Sequence, residues 1–193
     1  MKIVALFGSP RANGNTATLT KTFNKTAEEL GADVQTFFLN KLDAKGCQAC
    51  DTCKTKTDHC VIKDDLSDVL ESVKTTDILV LATPIYFADI SAQLKIFVDR
   101  CYSYLEPFVT MPETSRLKAG KKLVLITAQN RGEELFAEVC TKYRMIFEFL
   151  GFKETHLIRG CDLMKADALK TKNRQDLIDL SKETAMKVVN PVG

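Results

Sequence analysis

An excess of charge of either sign is missing from this sequence. The 27 lysines and arginines stand against 25 aspartates and glutamates, a formal net charge of +2 at pH 7. Chains that grip nucleic acid or an anionic membrane concentrate basic residues on one face. Here the lysines are scattered, so neither partner is expected. A long apolar run is missing too: no stretch approaches the roughly 20 residues of a membrane span. The run Ile3 to Phe7 is too short for a signal-peptide core and passes directly into a Gly-Ser-Pro turn. The expected location is therefore the cytoplasm. Internal repeats and low-complexity segments are likewise absent. What remains is 193 residues, 45% hydrophobic and 27% charged, which suits one globular domain over 1–193 with a single well-buried core.

Short apolar runs alternate with amphipathic stretches. Strands are expected at Lys2 to Phe7, Asp33 to Leu39, Asp77 to Ala82, Lys122 to Thr127 and Phe152 to Ile158. Helices are expected from Thr16 to Leu30, after Asp64 and Asp65, from Ile90 to Tyr102, from Gly132 to Leu150 and from Asn173 to Val189. Residues 106–120 form an irregular link. Such alternation implies a parallel α/β sheet, and right-handed crossovers leave few topologies. The common five-strand order 2-1-3-4-5 puts a ligand at the carboxyl ends of the first and third strands. Loops 8–15 and 83–89 fall there.

The first loop reads Gly8-Ser9-Pro10-Arg11-Ala12-Asn13-Gly14-Asn15-Thr16. It joins a strand to a helix whose free N–H groups and positive dipole end favour a phosphate. Gly14 and the asparagines accept the positive φ that a tight cradle needs. Ser9, Asn15 and Thr16 add short donors, and Arg11 adds charge. A Walker lysine is missing, which argues against ATP chemistry, and no dinucleotide Gly-x-Gly-x-x-Gly turn is present. A terminal monophosphate fits this loop best. The second loop, Thr83-Pro84-Ile85-Tyr86-Phe87-Ala88-Asp89, offers two aromatics, an isoleucine and a rigid proline to a flat heteroaromatic ring. Taken alone, Tyr86 and Phe87 serve equally well as a cover for the core.

Seven cysteines are an odd count, and four of them crowd together as C-x2-C-x2-C-x6-C at Cys47, Cys50, Cys53 and Cys60, in a loop over 46–62. Two-residue gaps let successive thiolates turn toward one centre, and four thiolates ligate an iron–sulfur cluster or zinc. A reduced or disulfide-forming thiol loop is the alternative. His59 reads as exposed rather than as a ligand. Cys101, Cys140 and Cys161 stand alone and read as core hydrophobes.

These segments resemble the NADPH-dependent FMN reductase branch of the flavodoxin-like superfamily. The phosphate loop carries the likeness first. It continues in Thr-Pro-Ile-Tyr-Phe followed by Ser91, Lys95 and Asp99-Arg100, and in the compact cysteine motif of the iron–sulfur flavoprotein subgroup. The resemblance implies a flavodoxin-like three-layer fold. It also implies FMN phosphate held by Ser9, Arg11, Asn13, Gly14, Asn15 and Thr16, and the flavin ring beside Pro84, Ile85, Tyr86 and Phe87. Gln129 or Asn130 would approach that ring, and Asp99 and Arg100 would be structural or interface residues. A [4Fe–4S] cluster on the four cysteines would lie near FMN. NAD(P)H would be the co-substrate, and electrons would leave to a small or protein acceptor. No protein acid or base is obligatory for hydride transfer to flavin, so no catalytic side chain is named. The resemblance also implies a homodimer or homotetramer, with link 106–120 and the outer side of the helix from Ile90 as contact surfaces. The rival readings are an electron carrier that never meets nicotinamide and a non-enzymatic zinc module.

Overall fold

The computed structural model describes residues 1–107, 115–165 and 167–190. Its strands are β1 (Lys2–Phe7), β2 (Asp33–Phe38), β3 (Ile78–Tyr86), β4 (Asp89–Ile90), β5 (Lys121–Ala128) and β6 (Phe152–Gly160). Five of them form a parallel sheet in the order β2-β1-β3-β5-β6. This is the flavodoxin-like order expected for five strands; the short β4 is an addition, antiparallel to the end of β3. Phe7 pairs with Ala82, Pro84 with Ala128, and Ala128 with Gly160. The loops that follow β1, β3, β5 and β6 therefore leave the sheet along one edge.

The helices are α1 (Asn15–Glu29), α2 (Thr52–Thr55), α3 (Leu66–Thr75), α4 (Ala92–Arg100), α5 (Ala137–Phe149), α6 (Ala168–Thr171) and α7 (Gln175–Val189). Successive strand residues point to opposite faces, so the sheet feeds two cores. Val4, Leu6, Leu79, Leu81, Leu123 and Leu125 meet α3, α4 and α5. Ile3, Ala5, Phe7, Ile78, Val80 and Ile126 meet α1 and α7. Each fully buried aliphatic side chain contributes about 1.5–3 kcal/mol, and β1, β3 and β5 are buried on both sides. That is why these strands read as continuous apolar runs.

Several boundaries differ from expectation, each for a local reason. β3 runs on to Tyr86 and absorbs most of loop 83–89, because the chain folds back and pairs Ile85 with Ile90. Phe87 and Ala88 make that turn at φ 46° and 66°, the double positive φ of a tight hairpin. Ile90 is thereby removed from α4, which starts after Ser91, whose Oγ accepts the Leu94 N–H. α5 starts at Ala137 rather than Gly132. Gln129 Nε2 claims the carbonyls of Arg131, Gly132 and Leu135, Arg159 claims those of Glu133 and Leu135, and Phe136 sits at φ 66°. α7 starts at Gln175 because Asn173 adopts φ 49°. The short α2 and α6 were not expected.

Asp64 does open α3: its Oδ1 accepts the Leu66 N–H and its own N–H goes to Ser67 Oγ. Cys101, Cys140 and Cys161 are buried, and burial pushes their thiols up, as core packing requires. His59 is half-exposed beside Asp58. Residues 108–114 of the link 106–120 lie outside the described residues. Among the described residues no helix is long and apolar enough to cross a membrane.

Candidate functional site

The loop after β1 is built by close approach. Gly8 N–H donates to Ala82 O at 2.8 Å, and Ser91 Oγ–H donates to Gly8 O at 2.7 Å. A Cβ at Gly8 would lie 2.8 Å from Ser91 Oγ and 2.9 Å from Leu94 Cβ, so only glycine lets the loop pass against α4. Ser9 is buried, and its Oγ accepts the Arg11 N–H. The 15-residue α1 then starts at Asn15 behind Gly14, which has no side chain to cap it, and the first turn holds no acidic residue. Its leading N–H groups and dipole are thus left for an anion. The Asn15 side chain acts as a staple instead. Its Nδ2 donates to Lys165 O and its Oδ1 accepts from Leu169 N, which ties the loop after β6 to the cradle.

These elements enclose a cavity of about 520 Å³ at the carboxyl ends of β1 and β3, a volume typical of small-molecule and cofactor sites. Ser9, Arg11, Gly14, Asn15 and Thr16 line one end, and Pro84, Ile85, Tyr86 and Phe87 line the other. Nine of the ten residues singled out in the sequence therefore meet around one space. Asn13 does not: its Oδ1 accepts from Lys21 Nζ outside this cavity. Asn130 lines the wall. Gln129 does too, but its amide is committed to three backbone carbonyls.

Ala88, Ala128, Arg131, Phe136, Leu163 and Met164 complete the lining. Sequence reasoning missed them. The signal available was position, since they flank the loops after β3, β5 and β6 at the ligand-binding edge. Among the described lining residues there is no carboxylate, imidazole, thiol or amine; the formal charges are the two guanidiniums of Arg11 and Arg131. Such a site suits an anionic ligand that brings its own chemistry.

The β3–β4 ribbon over this cavity is anchored from behind. Asp89 accepts from Lys142 Nζ at 2.5 Å, Tyr143 Oη at 2.9 Å and its neighbour Ile90 N at 2.7 Å. Burial alone would raise the Asp89 carboxyl, but these bonds outweigh it and hold it low. Burial, and then the same carboxylate, raise the Tyr143 phenol. At the tip of the ribbon Phe87 is wholly exposed and Tyr86 is 43% exposed.

The four cysteines border a second, small cavity of about 20 Å³, at the opposite end of α4. Cys47 and Cys50 are exposed on its rim, Cys53 is buried and Cys60 half-buried. Ala49 and Asp51, between the first three, both take φ 50°, which curls the loop back on itself. Burial raises the Cys53 thiol, whereas the Thr52 hydroxyl and amide lower that of Cys50. Among the described residues no three His, Cys, Asp or Glu side chains converge closely enough to hold an ion. The donor set nevertheless fits a thiolate-ligated centre, with four sulfurs around one concavity.

Cations hold this loop in place. Arg116 donates to Cys53 O and Ser103 O, and Lys54 Nζ donates to Tyr102 O and Leu105 O and stands 4.2 Å from the centre of the Tyr102 ring. Arg100, expected to be structural or an interface residue, is 1% exposed and paired with Asp64.

Comparison with known proteins gives consistent results. A family model described as NADPH-dependent FMN reductase matches residues 1–154. An iron–sulfur flavoprotein of Methanocaldococcus jannaschii is 29% identical over 150 residues, which are 78% of this chain and 74% of that protein. One from Archaeoglobus fulgidus is 31% identical over 70% of this chain and 59% of its own length. The fold is shared with an FMN-dependent NADH-azoreductase of Bacillus anthracis crystallised with FMN. The TM-score is 0.78 at 16% identity, covering 98% of this chain and 100% of that one. An NAD(P)H:quinone oxidoreductase of Methanothermobacter marburgensis superposes with a TM-score of 0.76 at 16% identity, over 97% and 96% of the two chains.

Proposed function

This chain belongs to the NADPH-dependent FMN reductase family, and from that premise we propose that it oxidises NAD(P)H through FMN bound in the 520 Å³ cavity and hands the electrons to a small acceptor. The observation that carries this reading is the cavity itself. It joins an uncapped helix N-terminus and two arginines to an aromatic ribbon, and among the described residues it offers no side chain able to act as carboxylate, imidazole or thiol catalyst. Bound FMN would supply the hydride-accepting chemistry.

The chain's own residues do the rest. The first-turn amides of α1, with Ser9, Thr16 and Arg11, would hold the phosphate. Asn15 fixes the wall through Lys165 and Leu169. Pro84 and Ile85 would set the level at which the ring lies, and Tyr86 and Phe87 would exclude water from one side while leaving an open approach for nicotinamide. Phe87, held fully exposed at positive φ, also suits a contact with a second copy. Cys47, Cys50, Cys53 and Cys60 would hold an iron–sulfur cluster, the kind of centre named in the archaeal relatives, and four thiolates suit the [4Fe–4S] type.

The test is an absorption spectrum of protein purified without oxygen, with iron and sulfide assays on the same sample and then addition of NADH or NADPH. Flavin bands that bleach promptly with either nicotinamide are expected, with about four irons per chain. Flavin that neither nicotinamide reduces would make the protein a carrier. No flavin, even after FMN is added, would sink the reading altogether.

A further inference from the structure

Arg100 is used in an unusual way. A guanidinium has five N–H groups in a rigid fork, and three of them here go to the two ends of the cysteine loop. Nη1 donates to Lys45 O and Asp64 Oδ2, each at 2.9 Å, and Nη2 donates to Ile62 O at 3.0 Å. Nε donates to the Cys60 sulfur at 3.0 Å. The guanidinium therefore closes the base of the loop and points its Nε–H at one of the four thiols. It does so from full burial, its side chain 0% exposed against 8% for Asp64. One carboxylate would have satisfied the charge. A donor placed on a sulfur serves that sulfur.

We infer that Arg100 is the positioning residue of the cysteine site: it holds Cys60 in the closed loop and, through the Nε–H···Sγ bond, raises the reduction potential of the centre that the four thiolates bind. This rests on the cluster assigned under the proposed function. The physical reason is charge. An electron added to a thiolate-ligated centre adds negative charge to its sulfurs. A donor at Sγ, backed by a buried cation, stabilises that state more than the oxidised one. The same bond orients the ligand before any metal arrives, as outer partners of metal ligands do. α4 carries the device. Ser91 at its start holds Gly8 and Thr83 beside the large cavity, and Arg100 at its end holds Cys60. Nine residues of helix separate the two by about 14 Å.

The experiment compares anaerobically reconstituted wild type with Arg100→Lys and Asp64→Asn. It reads iron, sulfide and FMN content, thermal stability, iron loss to a chelator, and the midpoint potentials of cluster and flavin separately. Arg100→Lys keeps the charge and loses the fork. It is expected to release iron about 10–100-fold more readily and to lower the cluster midpoint while leaving that of FMN in place. Asp64→Asn loosens the same clamp without touching the bond to sulfur and removes a negative charge beside the guanidinium, so its cluster midpoint should not fall.

Equal midpoints and equal iron retention in wild type and Arg100→Lys would overturn the inference and leave the cluster standing. Equal shifts in both variants would also overturn it, since loosening alone would then account for them. Wild type that takes up no iron or sulfide would remove the cluster itself. If Arg100→Lys does not fold, the wild type alone decides. Transfer to D2O should shift its iron–sulfur stretching bands through the Arg100 N–H, and deuterium-insensitive bands would count against the assignment.

Discussion

At the scale of single residues, two positions carry more than their chemistry advertises. Gly8 is small because Ser91 and Leu94 leave no room for a Cβ. Gly8→Ala should push the start of α4 away from the phosphate loop at a cost of about 1–3 kcal/mol. It should weaken FMN binding as well, and thermal unfolding with a flavin titration measures both. Asp64 is the acid partner of Arg100. Burial works to raise its carboxyl, but hydrogen bonds from Arg100, Lys45 N and Leu66 N win and hold it below the usual range. A folded-state pKa below the unfolded value, about 3.9, means that this stabilisation is complete above that pH and is lost as pH falls through the lower, folded value. Asp64→Asn breaks a buried pair and should cost about 3–5 kcal/mol near neutrality. Because that variant has already lost the bridge, urea midpoints for the two proteins should converge on acidification. Parallel curves would mean that the pair contributes nothing at either pH.

At the scale of elements, the β3–β4 ribbon and the late start of α5 shape the cavity, and neither is a matter of propensity. The ribbon exists because Ile85 and Ile90 pair and because Asp89 is drawn to Lys142 and Tyr143 across the loop. Its tip pays in backbone strain, with two non-glycine residues at positive φ, and strain of this kind gathers at ligand clamps. Phe87→Ala removes only an exposed ring. Stability should therefore move by no more than about 0.5 kcal/mol, while FMN dissociates more readily. An unchanged flavin affinity would show that Phe87 serves some other contact. The α5 boundary was legible in part. The apolar stripe is real from Ala137 onward, but periodicity could not reveal that Gln129 and Arg159 would take the carbonyls on which an earlier turn depends.

At the scale of the whole molecule, FMN bound to the native state alone should stabilise the fold by mass action. At about 100 times the dissociation constant the gain is about 2.7 kcal/mol, a rise in melting temperature of roughly 5–11 °C for a chain of this size. A melting temperature indifferent to FMN would contradict the site. Sequence by itself determined the alternation of strands and helices, the doubly buried strands, the phosphate loop and the cysteine spacing. Each of these is written in neighbouring residues, through periodicity, turn chemistry or ligand gaps. Only the tertiary structure decided the rest. It placed Asn13 outside the cavity and Gln129 in a backbone bracket. It brought Leu163 and Met164 beside the β3–β4 ribbon, and it set Arg100 against Cys60 across 40 residues of chain. The physical reason is that a hydrogen bond or a shared wall between distant segments leaves no trace in local pattern. It exists only once the sheet has fixed which loops emerge side by side.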